Sequence, residues 1–199
     1  MGKEAKNIYP LHDYLRTRWS ARAFTNKMVE KEKLQSLFEA ARWSPSMSNE
    51  QPWHFMIGLK GDETWQKIYD ILDDGNQVWC INAPVLMISV GRSFQKKNGK
   101  PYRLFKYDTG QSLAHLTFEA VHLGLIVHQM AGFSPEKAVT VFEIPEGMEP
   151  LTAIAIGYLG DPSVLTGRHY KWELEERNRK PFAEFVFAGK FGNKSDIID

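Results

Sequence analysis

Two arginines and a serine stand at alternating positions in one short segment of the sequence. In an extended chain, side chains two residues apart lie on the same face, so Arg18, Ser20 and Arg22 can converge on one ligand. A guanidinium offers planar paired donors that match the oxygens of a phosphate, and the hydroxyl adds a further donor. The segment is therefore a candidate phosphate site. The alternative interpretation is a basic stretch that water solvates.

A loop rich in turn-forming residues, 44–52, carries two amide side chains. Asn49 and Gln51 can each donate and accept hydrogen bonds, and prolines on both sides stiffen the backbone. Amides placed in this way can match the alternating donors and acceptors at the edge of a flat ring system. The other interpretation is a plain turn between a helix and a strand.

A third polar cluster lies near the C-terminus and reads Arg177-Asn178-Arg179-Lys180-Pro181. Positions 177 and 179 do not share a helix face. An unwinding helix end or an extended chain could nevertheless bring both arginines to one anion. The alternative is a charged run on the surface.

Three further residues, His115, Glu119 and His122, form a metal-like pattern on one face of a predicted helix. Carboxylate-bridged di-iron bundles use the Glu119-x-x-His122 spacing, but they need it twice, and the sequence has no second copy. The zinc-hydrolase, nucleophile-elbow and P-loop motifs are also missing from the sequence. We therefore predict no metal site and assign no catalytic side chain. The three residues are interpreted as polar neighbours in a packed helix interface.

The composition indicates a single globular domain over residues 1–199, of which 43% are hydrophobic and 25% charged. A formal net charge of +1 gives no global reason to expect nucleic acid or a membrane surface as a partner. No apolar run approaches the roughly 20 residues of a membrane helix, and the N-terminus has no apolar signal core. The single cysteine, Cys80, fits a reducing compartment and is interpreted as a small buried filler. We predict a cytoplasmic protein.

Apolar periodicity predicts an alternation of helices and strands without the glycine-rich turn of a dinucleotide-binding unit, which favours an α+β or irregular α/β fold. The polar and basic segment 91–106 is predicted to be a mobile connection. From Trp172 onward, the sequence pattern predicts a charged helix and then an apolar tail, Phe182 to Phe187. Such a tail needs a surface to pack on. Helices are predicted at 10–17, at 29–43, around Trp65 to Leu72, at 108–128 and from Ser134, and strands at 53–59, 84–90 and 151–158.

Taken together, six segments resemble the FMN-dependent nitroreductase family in content and in order. Each is a weak motif alone, but the ordered set is specific, and the likeness spans residues 14–185. The segments are 18–24, 41–53, 75–84, 108–110, 123–133 and 177–181.

The resemblance implies an α+β fold with a central mixed or antiparallel sheet flanked by helices. It also implies an interlocked homodimer that exchanges terminal segments and carries two equivalent FMN sites along its interface. Residues 1–13 would then be an N-terminal lead-in, and residues 172–199 a C-terminal arm that packs on the partner.

The same resemblance assigns residues to the flavin. The phosphate and ribityl end would be held by Arg18, Ser20, Arg22 and Arg179, with Trp19 beside them and Arg177 as a weaker candidate. Asn76 would bind the pyrimidine edge. The ring would lie beside Gln129, Met130, Ala131 and Gly132, with the backbone N–H of Ala131 near flavin N5. The other subunit would contribute Pro45, Ser46, Met47, Asn49 and Gln51.

The function implied is two-electron, ping-pong transfer. NADH or NADPH would reduce FMN, and a small acceptor such as a nitro compound or quinone would reoxidise it. Gln129 and Ala131 stand where the family's larger nitroaromatic reducers carry a proline and a glutamate. The alternatives are another flavin reaction on this fold, such as dehalogenation or flavin breakdown, and a non-catalytic flavin-binding module.

Overall fold

A four-stranded sheet forms the centre of the protein in the computed structural model, which describes residues 3–198. Residues 1, 2 and 199, at the ends of the predicted lead-in and C-terminal arm, lie outside the described part. The strand order is β1-β2-β4-β3, and every pair of neighbours is antiparallel. The strands are β1 (Trp53–Leu59), β2 (Val85–Arg92), β3 (Ile126–Met130) and β4 (Met148–Gly157).

Helices cover both faces of this sheet. The start of α6 is as predicted, because the Ser134 side chain accepts the Lys137 N–H at 3.2 Å and Pro135 occupies the first turn. None of the helices in residues 3–198 is both long and apolar enough to cross a membrane. The helices are α1 (Asp13–Thr17), α2 (Lys31–Arg42), α3 (Glu63–Asp70), α4 (Asp74–Cys80), α5 (Phe105–His122), α6 (Pro135–Val141) and α7 (Gly167–Leu174).

The central strand β2 is buried along its whole length. Alternate residues such as Leu86 and Ile88 join a core that also contains α3, α4 and α6, whereas Val85 and Met87 join a second core with α2 and α5. Burial on both faces explains why this strand is an unbroken apolar run in the sequence. The predicted α+β fold, with an antiparallel sheet flanked by helices, is confirmed.

The predicted helix 108–128 is wrong in its last third. Helix α5 ends at His122, and Gly124 takes a positive φ of 74°. The N–H groups of Gly124 and Leu125 then bond back to the carbonyls of Val121 and Ala120, which is a glycine-terminated helix end. The residues that follow form β3 at the edge of the sheet. The continuous apolar pattern hid this change from helix to strand.

Other elements also differ from the prediction. Helix α1 begins at Asp13 rather than at Pro10, and strand β4 begins at Met148 rather than at Leu151. Helix α4 was not predicted, because Gly75 and Asn76 in its first turn have low helix propensity. The connection 91–106 is shorter than predicted, since β2 extends to Arg92 and α5 begins at Phe105. Helix α7 begins before Trp172 and ends at Leu174, so the C-terminal basic cluster lies outside it.

We predict that Gly58→Ala strongly destabilises the fold, because α3 crosses β1 at this residue. A Cβ built on Gly58 lies 2.2 Å from the backbone N of Trp65 and 2.4 Å from its Cα. Displacing the helix should cost about 1–3 kcal/mol in chemical unfolding. Gly110→Ala is the control, because its Cβ meets no atom within 4 Å. Equal unfolding free energies for the two variants would contradict this packing.

Candidate functional site

The predicted phosphate segment is an extended chain held between helix α7 and strand β3. The Glu173 carboxylate is 2% exposed and accepts the backbone N–H of Arg22, at 3.0 Å from both oxygens, and that of Ala23 at 3.0 Å. On the opposite side, the Nδ1 of His128 lies 2.9 Å from the carbonyl oxygen of Ala21. Because a carbonyl oxygen can only accept a hydrogen bond, the Nδ1 of His128 must carry the proton. These contacts fix the extended backbone that the alternating side chains need.

The side chains of this segment lie beside an aromatic ring and beside one another. Nη1 of Arg18 donates to Oγ of Ser20 at 3.3 Å, so these two side chains share a face. The guanidinium of Arg22 lies 5.2 Å from the ring centroid of Trp172 on α7. Burial lowers the pKa of Arg22, and the negative charge of Glu173 opposes that shift. A ring and a carboxylate therefore position Arg22.

The C-terminal basic cluster approaches the same place. Burial lowers the pKa of Arg18, and the positive charges of Arg177 and Arg179 lower it further. Arg177 donates to the carbonyl oxygens of Lys3 and Arg16, at 3.0 and 2.7 Å, and thereby ties the N-terminal segment to the site. Three neighbouring guanidiniums repel one another, and a bound anion would relieve that repulsion.

The predicted pyrimidine residue meets the predicted ring segment. Nδ2 of Asn76 donates to the carbonyl oxygen of Gly132 at 2.9 Å, and the backbone N–H of Asp73 donates to the same oxygen at 3.1 Å. A Cβ on Gly132 would lie 2.5 Å from that Nδ2. Such a close approach requires glycine. Of the other ring candidates, Gln129 and Ala131 are exposed, whereas Met130 is buried.

Strand β3 connects these two sets of residues. His128, which contacts the phosphate segment, is followed directly by residues 129–132. Since β3 is an edge strand, both sets lie along one edge of the sheet. The structure therefore brings together the residues predicted for the two ends of a flavin.

The amide-bearing loop has an unusual backbone. Ser48, Asn49 and Gln51 have positive φ values of 51°, 57° and 46°, which cost free energy in residues other than glycine. The backbone N–H of Gln51 donates to Oγ of Ser46 at 3.0 Å, and its Nε2 donates to Oδ1 of Asn49 at 2.9 Å. Pro45 and Met47 are exposed beside these amides. Strain of this kind gathers at ligand-binding loops.

This loop is fixed by residues other than those that hold the phosphate segment. Asp108, buried in the first turn of α5, accepts the Met47 N–H at 3.0 Å and the hydroxyl of Tyr102. Burial and the Asp108 carboxylate raise the pKa of Tyr102, so its hydroxyl stays a donor. Glu50 forms an ion pair with the buried Arg92 at 2.9 Å. Within one chain the loop is thus anchored to α5 and β2.

The remaining polar candidates have ordinary surroundings. Within residues 3–198, no group of three or more His, Cys, Asp or Glu side chains is placed to bind a metal ion. His122 contacts the Tyr14 hydroxyl through Nδ1. Cys80 is fully buried, and burial raises the pKa of its thiol, as expected for a filler rather than a reactive group.

Sequence reasoning missed the buried residues that hold the site. Glu173 lies in a charged segment that resembles a solvated helix face, and His128 was assigned to the end of a helix. The sequence predicts Asp108 as the first residue of the central helix, but it does not predict the bond from its side chain to the loop. Glu175 and Glu176 follow Glu173 closely, so no local signal marks Glu173 as buried.

The comparisons with known proteins agree with this geometry. The sequence profile of the nitroreductase family matches residues 15–158. That match covers most of the chain, including the phosphate segment, the amide loop and strand β3. The chain therefore belongs to the nitroreductase family.

Individual relatives support the same assignment. The chain is 34% identical to a crystal structure described as an oxidoreductase containing FMN, with a TM-score of 0.89 over 95% of this chain and 96% of that one. It is 29% identical to an uncharacterised 15.4 kDa protein of Mycolicibacterium smegmatis, over 70% of this chain and 97% of the relative. It is 27% identical to an FMN reductase [NAD(P)H] of Bacillus subtilis, over 72% and 64% of the two chains.

We predict that His128 makes the fold less stable in acid. Burial lowers its pKa from 6.5 to about 4 in the folded protein. Between these values the unfolded chain binds the proton and the folded chain does not, so stability falls as pH decreases, by up to about 3 kcal/mol. His128→Asn keeps a donor but does not titrate there. Its unfolding free energy, measured between pH 7 and 4, should fall less than that of the wild type. If the unfolding free energies of the two proteins fall equally with pH, buried His128 is not the cause of the loss of stability.

Proposed function

We propose that this protein is an FMN-dependent oxidoreductase that takes electrons from NADH or NADPH. The observation that carries the proposal is the cationic cluster of Arg18, Arg177 and Arg179 at the same sheet edge as the pair formed by Asn76 and Gly132. A phosphate-bearing flat ring matches this arrangement. The relatives named for FMN and for NAD(P)H support the same cofactor and reductant.

The donors fit FMN better than FAD. Arginine side chains and the Ser20 hydroxyl gather around one point, as a terminal phosphate requires. The sequence has no glycine-rich fingerprint for a pyrophosphate. The phosphate end would be held by Arg18, Trp19, Ser20, Arg22 and Arg179, with Arg177 steadying the cluster, and the ring by Asn76, Gln129, Met130, Ala131 and Gly132.

When bound, FMN would supply the two-electron chemistry, accepting a hydride equivalent from NAD(P)H and returning it to an oxidant in a ping-pong cycle. The chain itself would orient the ring. Ala131 comes directly after strand β3, and a backbone N–H held in this way can stabilise charge or a proton at a ring nitrogen with little reorganisation.

The acceptor we propose is a small molecule such as a nitro compound or a quinone. Membership of the nitroreductase family supports this class of substrate. The exposed Gln129 and Ala131 would offer it a neutral, uncharged surface beside the ring. Flat, electron-poor acceptors can stack on such a surface without a charged partner.

We also propose that each site is completed by a second copy of the chain. The loop with Asn49 and Gln51 is anchored to α5 and β2, whereas the phosphate segment is anchored to α7 and β3. Large apolar side chains remain exposed on the single chain, including Trp43 at 72% and Phe191 at 95%. A homodimer interface covering these residues would bring the partner's loop to the flavin, with the C-terminal arm packed on the partner.

Turnover distinguishes the proposed enzyme from a flavin-binding module. We expect the purified protein to oxidise NADH or NADPH in steady state when menadione or a nitrofuran is supplied. A mere binder has no route for electrons to an acceptor. Flavin-loaded protein that fails to turn over with both reductants and both acceptors would favour the binding module.

We predict that Arg22→Glu yields folded protein with little flavin. Each charge-assisted hydrogen bond contributes about 1.5–3 kcal/mol, and charge reversal adds repulsion. Lys137→Glu, on the exposed face of α6, is the matched charge reversal and should keep its flavin. The measurement is flavin content per chain at unchanged circular dichroism. Normal flavin occupancy in Arg22→Glu would mean that the segment is a solvated basic stretch.

A mixed dimer tests whether the site is shared. One chain carries Arg18→Ala and Arg22→Ala, the other carries Asn49→Ala and Gln51→Ala, and different tags allow the heterodimer to be isolated. With shared sites, the defects meet in one site and leave the other intact, so the heterodimer should hold about half the normal flavin by symmetry. Both homodimers should hold little. A heterodimer as pale as its parents would contradict sharing.

A further inference from the structure

Glu173 is a buried carboxylate whose hydrogen bonds go to the backbone of the phosphate segment. Three bonds of 3.0 Å join its two oxygens to the N–H groups of Arg22 and Ala23. The residue is 2% exposed, on a helix whose neighbouring Trp172 and Leu174 are exposed. Burying a carboxylate is costly unless hydrogen bonds compensate. An apolar side chain at this position would leave the N–H groups of Arg22 and Ala23 without an acceptor, so the carboxylate holds this backbone in place.

The backbone that Glu173 binds is the one whose conformation decides where the arginines lie. Side chains at positions 18, 20 and 22 share a face only while the chain between them stays extended. Glu173 fixes the N–H groups at its end, and His128 fixes the Ala21 carbonyl between them. A rotation of this backbone would turn Arg22 away from Arg18.

We propose that Glu173 is the positioning residue of the phosphate site, and that its carboxylate sets the affinity for a phosphate monoester by holding Arg22 and Arg18 on one face. This inference rests on the proposed function, because it takes the terminal phosphate of FMN as the ligand. Glu173 acts through the backbone and makes no contact with the ligand itself.

Whether phosphate binding becomes stronger or weaker when Glu173 is replaced distinguishes positioning of the arginines from a purely electrostatic effect. A negative charge close to Arg22 disfavours a bound anion, so removing it would strengthen phosphate binding by Coulomb's law alone. Loss of positioning has the opposite sign, because it disperses the donors. A variant that removes the charge and yet binds phosphate less tightly reveals positioning.

The test is a titration of the full-length protein, stripped of flavin, with FMN and with riboflavin, which lacks the phosphate. For Glu173→Gln we expect FMN affinity to fall at least about tenfold, roughly 1.4 kcal/mol, while riboflavin affinity changes much less. The ratio of the two affinities is the readout, because a general loss of stability would lower both together.

Two further variants complete the experiment. Glu173→Asp keeps the negative charge but shortens the side chain by one methylene, which moves the carboxylate away from the backbone N–H groups. A positioning role therefore predicts weaker FMN binding for this variant as well. Glu173→Asp replaces Glu173→Gln in the test if the latter does not fold. Asp62→Asn is the matched control, since Asp62 also accepts two backbone N–H groups, those of Leu59 and Trp65, at 2.8 and 2.6 Å. It should lower thermal stability and leave the affinity ratio unchanged.

The outcomes are distinct. If the ratio of FMN affinity to riboflavin affinity is unchanged or raised in both Glu173 variants, the inference is wrong. Arg22→Glu, titrated in parallel, reports on the proposed function itself. If it also leaves the ratio unchanged, the phosphate site is elsewhere and the proposed function fails at this point. If Arg22→Glu lowers the ratio and the Glu173 variants do not, only the positioning role fails.

Discussion

The site depends on satisfying the backbone of one short segment that is not part of the sheet. Residues 20–24 run beside the sheet edge, where each buried N–H and carbonyl group needs a partner. Glu173 accepts two of the N–H groups, His128 pairs with one carbonyl, and Phe24 bridges to Leu159. Without these partners the segment could not stay extended and buried, and its arginines would have no common direction.

The end of helix α5 has a comparable influence. Because the helix ends at His122 and Gly124 turns the chain with a positive φ, the next residues can form β3 and pair with β4. The register sets His128 opposite Ala155, so that the imidazole stands where the phosphate segment passes. The same strand then leads to Gly132, whose lack of a side chain admits Asn76. One helix terminus thus determines how two sets of polar residues meet.

How much of this could be predicted depends on whether a signal is local. The Ser134 cap, the alternation of Arg18, Ser20 and Arg22, and the antiparallel sheet follow from short-range patterns and from the family resemblance. The end of α5 does not follow from such patterns, because apolar residues continue from the helix into the strand. Glu173 could not be predicted, since its partners lie about 150 residues away along the chain.

The nature of the ligand is tested most directly by the flavin that the purified protein carries. Denature the protein, chromatograph the released flavin and compare its amount with that of the chain. We expect FMN in an amount close to that of the chain, because one cationic cluster per chain matches one terminal phosphate. FAD as the main flavin, or a stripped protein that binds FMN no more tightly than riboflavin, would contradict a site built for that phosphate.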